Sequence, residues 1–136
     1  MPDASLALSW AFDDEATPFT AKVLKLLENV HAVTPALWPF EVVRVLAAAE
    51  RRGRINAGQQ TEFLERLRLL PIMIERRPAV WLGQQILPLA RAYKLSAYDA
   101  AYLELAIRED LPLATLDEDL RTATLAAGVP LVEAQP

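Results

Sequence analysis

Apolar residues recur along this chain in two rhythms, and the alternation between them predicts its elements. Leu6, Leu8, Trp10 and Phe12, with small residues between, suggest a short helix or turn-rich segment ended by Asp13-Asp14-Glu15. Phe19, Val23, Leu24, Leu26 and Leu27 keep helical spacing after Pro18, a residue suited to a helix's first turn, with Asn29 as the expected cap. Val42, Val45, Leu46 and Ala49 predict a second helix from Pro39 to about Arg52, stopped by Gly53. Ala57 to Leu70 reads as a third, with Phe63, Leu64, Leu67 and Leu70 inward, and Pro78 to Tyr93 as a fourth. Two more are expected over 97–109 and 118–127, the last capped by Gly128. Between them lie short apolar runs that read as strands: 31–35, 71–75, 112–116 and 129–132.

Short strands alternating with amphipathic helices imply a parallel sheet covered by helices on both faces, an α/β fold. The 136 residues suit one domain, taken here as 1–136, and no repeat or linker interrupts them. No apolar run approaches the about 18 residues that span a bilayer, so no membrane association is expected. The absence of cysteine removes disulfides and thiolate metal sites, which suits the cytoplasm, and the acidic N-terminus does not resemble a secretory leader. The net charge is −4, but residues 44–94 carry ten Lys/Arg against four Glu. A basic middle between acidic flanks suits a polyanion surface beside a carboxylate cluster, though a solvated helix face would look the same.

In open sheets of this kind ligands sit beyond the carboxyl ends of the strands, so strand-to-helix junctions carry the chemistry. Four of them hold an acid: Asp3, Glu41, Asp99 and Asp117. Each has a purely structural reading. Asp3 and Asp117 suit N-caps, Ser96-x-x-Asp99 matches a capping box, and Glu41 complements a helix dipole. If the four junctions share one edge, the carboxylates converge, and such a group calls for a hard cation with oxygen ligands, Mg²⁺ or Mn²⁺. Such an ion supports phosphodiester hydrolysis.

Four blocks carry a family resemblance: Asp3-Ala4-Ser5 with Ala7-Leu8-Ser9-Trp10; Pro35-Ala36-Leu37-Trp38-Pro39-Phe40-Glu41-Val42; Leu95-Ser96-Ala97-Tyr98-Asp99-Ala100-Ala101-Tyr102; and Leu113-Ala114-Thr115-Leu116-Asp117. In order and spacing the chain resembles PIN-domain ribonucleases, specifically the VapC-type toxins of type II toxin–antitoxin pairs. The resemblance implies a three-layer α/β/α sandwich with a short parallel central sheet and a Mg²⁺-dependent (or Mn²⁺-dependent) endoribonuclease acting on RNA. It makes Asp3, Glu41, Asp99 and Asp117 the catalytic and metal-binding quartet, with Ser5, Thr115 and Asp119 in support. It also implies a homodimer and a cognate antitoxin protein, to whose surfaces Trp38, Phe40, Trp81 and the apolar edge of 57–70 would contribute if they are not core.

Two positions depart from the family's pattern. Only Met1 and Pro2 precede Asp3, and proline lacks the N–H a central strand needs, so a stub strand and a weakly held Asp3 are expected. Arg44 stands where relatives often carry Asn; it can contact RNA phosphate or repel a metal. The alternative to an enzyme is a catalytically degenerate interaction module of the same fold. A phospho-acceptor receiver domain would want an acidic pair after its first strand and a lysine after its last, and neither is present. His31, the only histidine, falls in a predicted strand and reads as structural, and the four glycines form no phosphate loop.

Overall fold

The structure, a computed structural model, describes residues 1–76 and 79–133, without the side chains of 13 and 79–82. Arg77, Pro78 and the side chain of Trp81 therefore lie outside the described residues. Seven α-helices appear among those described: α1 (Ala4–Leu8), α2 (Pro18–Leu26), α3 (Trp38–Arg51), α4 (Ala57–Arg68), α5 (Ala79–Tyr93), α6 (Ala97–Glu109) and α7 (Glu118–Ala126). Two turns of 3₁₀ helix, Ser9–Ala11 and Asp13–Glu15, follow α1. The starts agree with local chemistry. Thr17 and Thr20 form a reciprocal capping box at α2, as Asn56 and Gln59 do at α4. Gly53, at φ 73°, takes the left-handed turn beyond α3.

The sheet is parallel but shorter than the strand pattern predicts. Strands β1 (Ala32–Thr34) and β2 (Ile72–Ile74) pair in parallel, with Val33 opposite Met73. The expected strands at 112–116 and 129–132 reduce to isolated parallel bridges, Pro2 to Ala114 and Leu113 to Leu131. Prolines explain the shortening: Pro2, Pro112 and Pro130 each remove a donor, so the ladder cannot extend through them. The bridge at Pro2 survives because it does not use that residue's nitrogen. Ala114 N–H donates to the Met1 carbonyl at 2.8 Å, and Asp3 N–H donates to the Ala114 carbonyl at 3.0 Å.

Around this reduced sheet the core gathers Leu6, Leu8, Trp38, Val42, Leu46, Tyr102, Leu103, Leu105, Leu113 and Leu120. Helix α6 is its centre, with every residue from Ala100 to Ala106 buried, and it packs mainly against α5. A helix buried all round needs no polar face, yet this one carries Glu104. Arg108 compensates it, donating from Nε and Nη2 to its two carboxylate oxygens at 2.7 and 2.9 Å, and pairs with Glu75 beyond β2 at 2.6 Å. That network fixes α6 in register with the sheet.

Several local expectations are corrected. Leu27, not Asn29, caps α2. Leu64 is exposed, because α4 buries only Phe63 and Leu67. His31 lies just before β1 and is exposed. Trp38 belongs to the core, whereas Phe40 stands 78% exposed. No helix among the described residues is long and apolar enough to cross a membrane.

Candidate active site

Each of the four acids stands at or just inside a helix start. Asp3 is the N-cap of α1, its Oδ1 accepting from Leu6 N–H at 2.9 Å. Asp117 is the N-cap of α7, its Oδ1 accepting from Leu120 N–H at 2.8 Å. Asp99 lies in the first turn of α6, where Ser96 Oγ accepts from its N–H at 3.1 Å. Glu41 lies in the first turn of α3. The capping readings are thus correct for Asp3, Asp117 and Ser96, but a cap occupies only one carboxylate oxygen.

The expectation that Asp3 is weakly held is overturned. It is only 5% exposed and the most fully bonded of the four. Ser5 Oγ donates to its Oδ1 at 2.9 Å, and the hydroxyl of buried Thr115 donates to its Oδ2. Thr115 Oγ1 in turn accepts from Asp117 N–H at 3.0 Å, so one threonine joins two of the acid-bearing junctions. Ser5 and Thr115, the residues expected to support the site, thus both hydrogen-bond to Asp3. With both oxygens engaged, Asp3 is an anchor first.

Electrostatics shows the convergence. Burial pushes the Asp3 carboxyl above its usual range, hydrogen bonds from Thr115, Leu6 and Ser5 pull it back, and Glu41 raises it further. Glu41 is raised by burial and by Asp99, while Tyr102 and Arg44 lower it. Asp99 is raised by burial, then by Asp117, Asp3 and Asp119, with Ser96 opposing. Carboxylates from four junctions thus lie within electrostatic reach of one another. Asp119 joins them as a contributor to the field on Asp99.

Tyr102 was not singled out in the sequence, although it was quoted in the third block. Its hydroxyl donates to Glu41 Oε1 at 2.6 Å across two helices. It stands three residues after Asp99, on the same side of α6, and that i,i+3 spacing was the available signal. Burial and the Glu41 carboxylate together push its own pKa well up, keeping it a donor.

A hard divalent ion matches this donor set in kind, since it offers carboxylate oxygens and neither thiolate nor imidazole. Among the described residues no three acids close into a ready ion cage. Mg²⁺ does not demand one: it usually retains several waters and takes one or two carboxylates together with substrate phosphate. The free oxygens of Glu41, Asp99 and Asp117 are the ones suited to that task. A separate groove of about 640 Å³ runs between α3, α5 and α6, lined by Leu37, Phe40, Ile86, Leu87 and Tyr98 among others. None of the four acids lines it.

A helix-rich α/β chain with a short parallel sheet and acids gathered at its helix starts has the architecture of a PIN-like nuclease domain. The sequence profile of the PIN domain family matches residues 1–124. The chain belongs to the PIN domain family, whose members are generally nucleases that use divalent metal ions. Its fold is similar to that in the crystal structure of PAE2754 from Pyrobaculum aerophilum, with a TM-score of 0.65 and 23% identity, covering 90% of this chain and 76% of that one. No curated protein matches.

Proposed function

We propose that this protein is a Mg²⁺-dependent (or Mn²⁺-dependent) endoribonuclease, with Asp3, Glu41, Asp99 and Asp117 as its acidic site. The observation that supports it best is that carboxylates delivered by four separate junctions lie within electrostatic reach of one another, Glu41 acting on Asp3, Asp99 on Glu41, and Asp117 and Asp3 on Asp99. When bound, the ion supplies Lewis acidity and a nucleophilic water at neutral pH.

The chain's own residues do the rest. Asp3 locks the start of α1 to the loop before α7 through Thr115, fixing the separation of the other acids. Tyr102 holds one oxygen of Glu41 by donating to it, so the carboxylate keeps a fixed position. Asp99 and Asp117, with Glu41, would hold the ion through their carboxylate oxygens. Arg44, exposed and close enough to lower the Glu41 pKa, offers a cation to a phosphate oxygen. The net reaction is hydrolysis: water adds to phosphorus, and the bond from phosphorus to the 3′ oxygen breaks.

Cleavage of a structured, end-labelled RNA is expected to need Mg²⁺ or Mn²⁺ and to stop with EDTA. Activity that survives the chelator removes the mechanism. One observation favours the second reading, an interaction module: Asp3 spends both oxygens on the fold. Calorimetric titration with Mn²⁺ separates the two. Binding that disappears in Asp117→Asn supports the enzyme, and no binding at all supports the module.

A further expectation concerns pH. Tyr102→Phe deletes the bond that lowers the Glu41 pKa, so that carboxyl rises further. The acidic limb of the pH–rate profile should then move to higher pH, at a stability cost of about 1 kcal/mol. An unmoved limb would show that Glu41 does not titrate in the reaction.

The toxin assignment, with a protein antitoxin and a homodimer, rests on the sequence resemblance. Exposed Phe40, Leu87 and Tyr98 around the apolar groove support it as a surface for protein partners. Sedimentation of the purified chain at several concentrations tests the dimer.

A further inference from the structure

We infer that the cleft between α1 and α3 is a phosphate-binding subsite, which grips the backbone of the RNA strand as it leaves the acidic site. The inference rests on the ribonuclease reading above and adds where the strand runs. The cleft has a volume of about 220 Å³, and its lining includes Ser5, Phe12, Arg44, Ala48, Arg52 and Arg54. It is continuous with the acidic site through two residues. Ser5 lines the cleft while its hydroxyl donates to Asp3 Oδ1, and Arg44 lines it while acting on Glu41.

The three arginines are not equivalent. Arg54 is already committed: it pairs with Asp14 at 2.9 Å and Glu15 at 3.0 Å, and its guanidinium lies 4.1 Å from the centre of the Phe12 ring. It forms a fixed end wall. Arg44 and Arg52 are exposed and have no ion pair among the described residues. With Ala48 they form an i, i+4, i+8 stripe along α3 and its C-cap, Arg52, and eight residues span about 12 Å of helix. Alanine between them leaves the helix surface open. Two cations at that spacing without an ion pair, on a chain of net charge −4, suit two phosphates of one strand, separated by about two nucleotides, better than a single small anion.

The same geometry says what the cleft does not read. Phe12 is its aromatic residue, but it is buried and its ring is covered by Arg54. No ring face is left for a base to stack on, so the contact is with the backbone and independent of sequence. Selectivity for a particular RNA has to arise elsewhere.

The test uses the full chain carrying Asp99→Asn, so that RNA stays intact, and a dye-labelled single-stranded RNA read by fluorescence anisotropy in Mg²⁺. Adding Arg44→Ala and Arg52→Ala together should weaken binding about tenfold and reduce the slope of log affinity against log salt by about 1.4, the loss of two single-strand phosphate contacts. Arg52→Lys, which keeps the charge, should retain most of the slope. Lys25→Ala, which removes one positive charge from α2 outside the cleft, should change neither quantity. Binding by the double variant within twofold of its parent, or an equal loss in Lys25→Ala, would overturn the subsite. If the unaltered chain cleaves RNA while the double variant binds normally, only the subsite falls. If the unaltered chain neither binds nor cleaves RNA, the proposed function falls and takes the subsite with it.

Discussion

Asp99→Asn should give a chain that folds more stably and cleaves RNA at least about a hundredfold more slowly. The loss follows from removing the charge while keeping the shape: an amide oxygen is a poorer ligand for a hard cation, and the first turn of α6 stays intact because Ser96 caps it through Asp99's backbone N–H. The gain follows from Asp99's neighbours. Its carboxyl is raised by burial, Asp117, Asp3 and Asp119, so ionising it in the metal-free fold is uphill. An acid whose folded pKa lies above its unfolded value binds more protons when folded. Stability is then highest below the unfolded value of 3.8, falls as pH rises through the raised folded value, and levels beyond it. The asparagine variant lacks that decline. Its advantage in urea unfolding should vanish at low pH and appear as pH passes through that window. A variant that retains full activity, or whose advantage is as large below the window as above it, would show that Asp99 is an ordinary surface acid.

The second large effect is structural. Asp3→Ala removes the α1 cap, strands the Thr115 hydroxyl in the core and frees Ser5. A lost cap costs about 1 kcal/mol and a buried unpaired hydroxyl about 1–3, so a total near 3 kcal/mol is expected, with Tm about 10 °C lower. Asp3→Asn should cost about half as much. Its amide oxygen can still accept from Leu6 N–H, while its NH₂ can donate to Thr115 and leaves only the threonine proton without an acceptor. Thermal scans of the two variants check the order. If both lie within 1 kcal/mol of the parent, Asp3 does not anchor the site, and the spacing of the remaining acids must be set otherwise.

Helix α6 shows how far the sequence reaches. Its bounds, 97–109, are those the periodicity predicts, and its cap is the serine that the spacing marks. Both depend on groups three or four residues apart. The sheet shows where such reasoning stops. Leu113 to Leu116 has the composition of a strand, but its partners begin with Pro2 and Pro130, and a ladder needs donors on both sides. The same proline suggested a loosely held Asp3. That inference failed because a parallel bridge at Pro2 uses the carbonyl before it and the N–H after it.

From the sequence alone came most of the helices, the N-caps Asp3, Ser96 and Asp117, the α/β class and the identity of the four acids at their junctions. All of these are set by local periodicity and by side chains bonding to backbone within one turn. Only the tertiary structure decided which partners each acid meets. Thr115 reaches Asp3 across 112 residues and Tyr102 reaches Glu41 across 61, and no spacing in the chain encodes such pairs. Packing of α1, α3 and α6 brings these groups together, leaving Asp3 committed to the fold and its three companions with oxygens to spare.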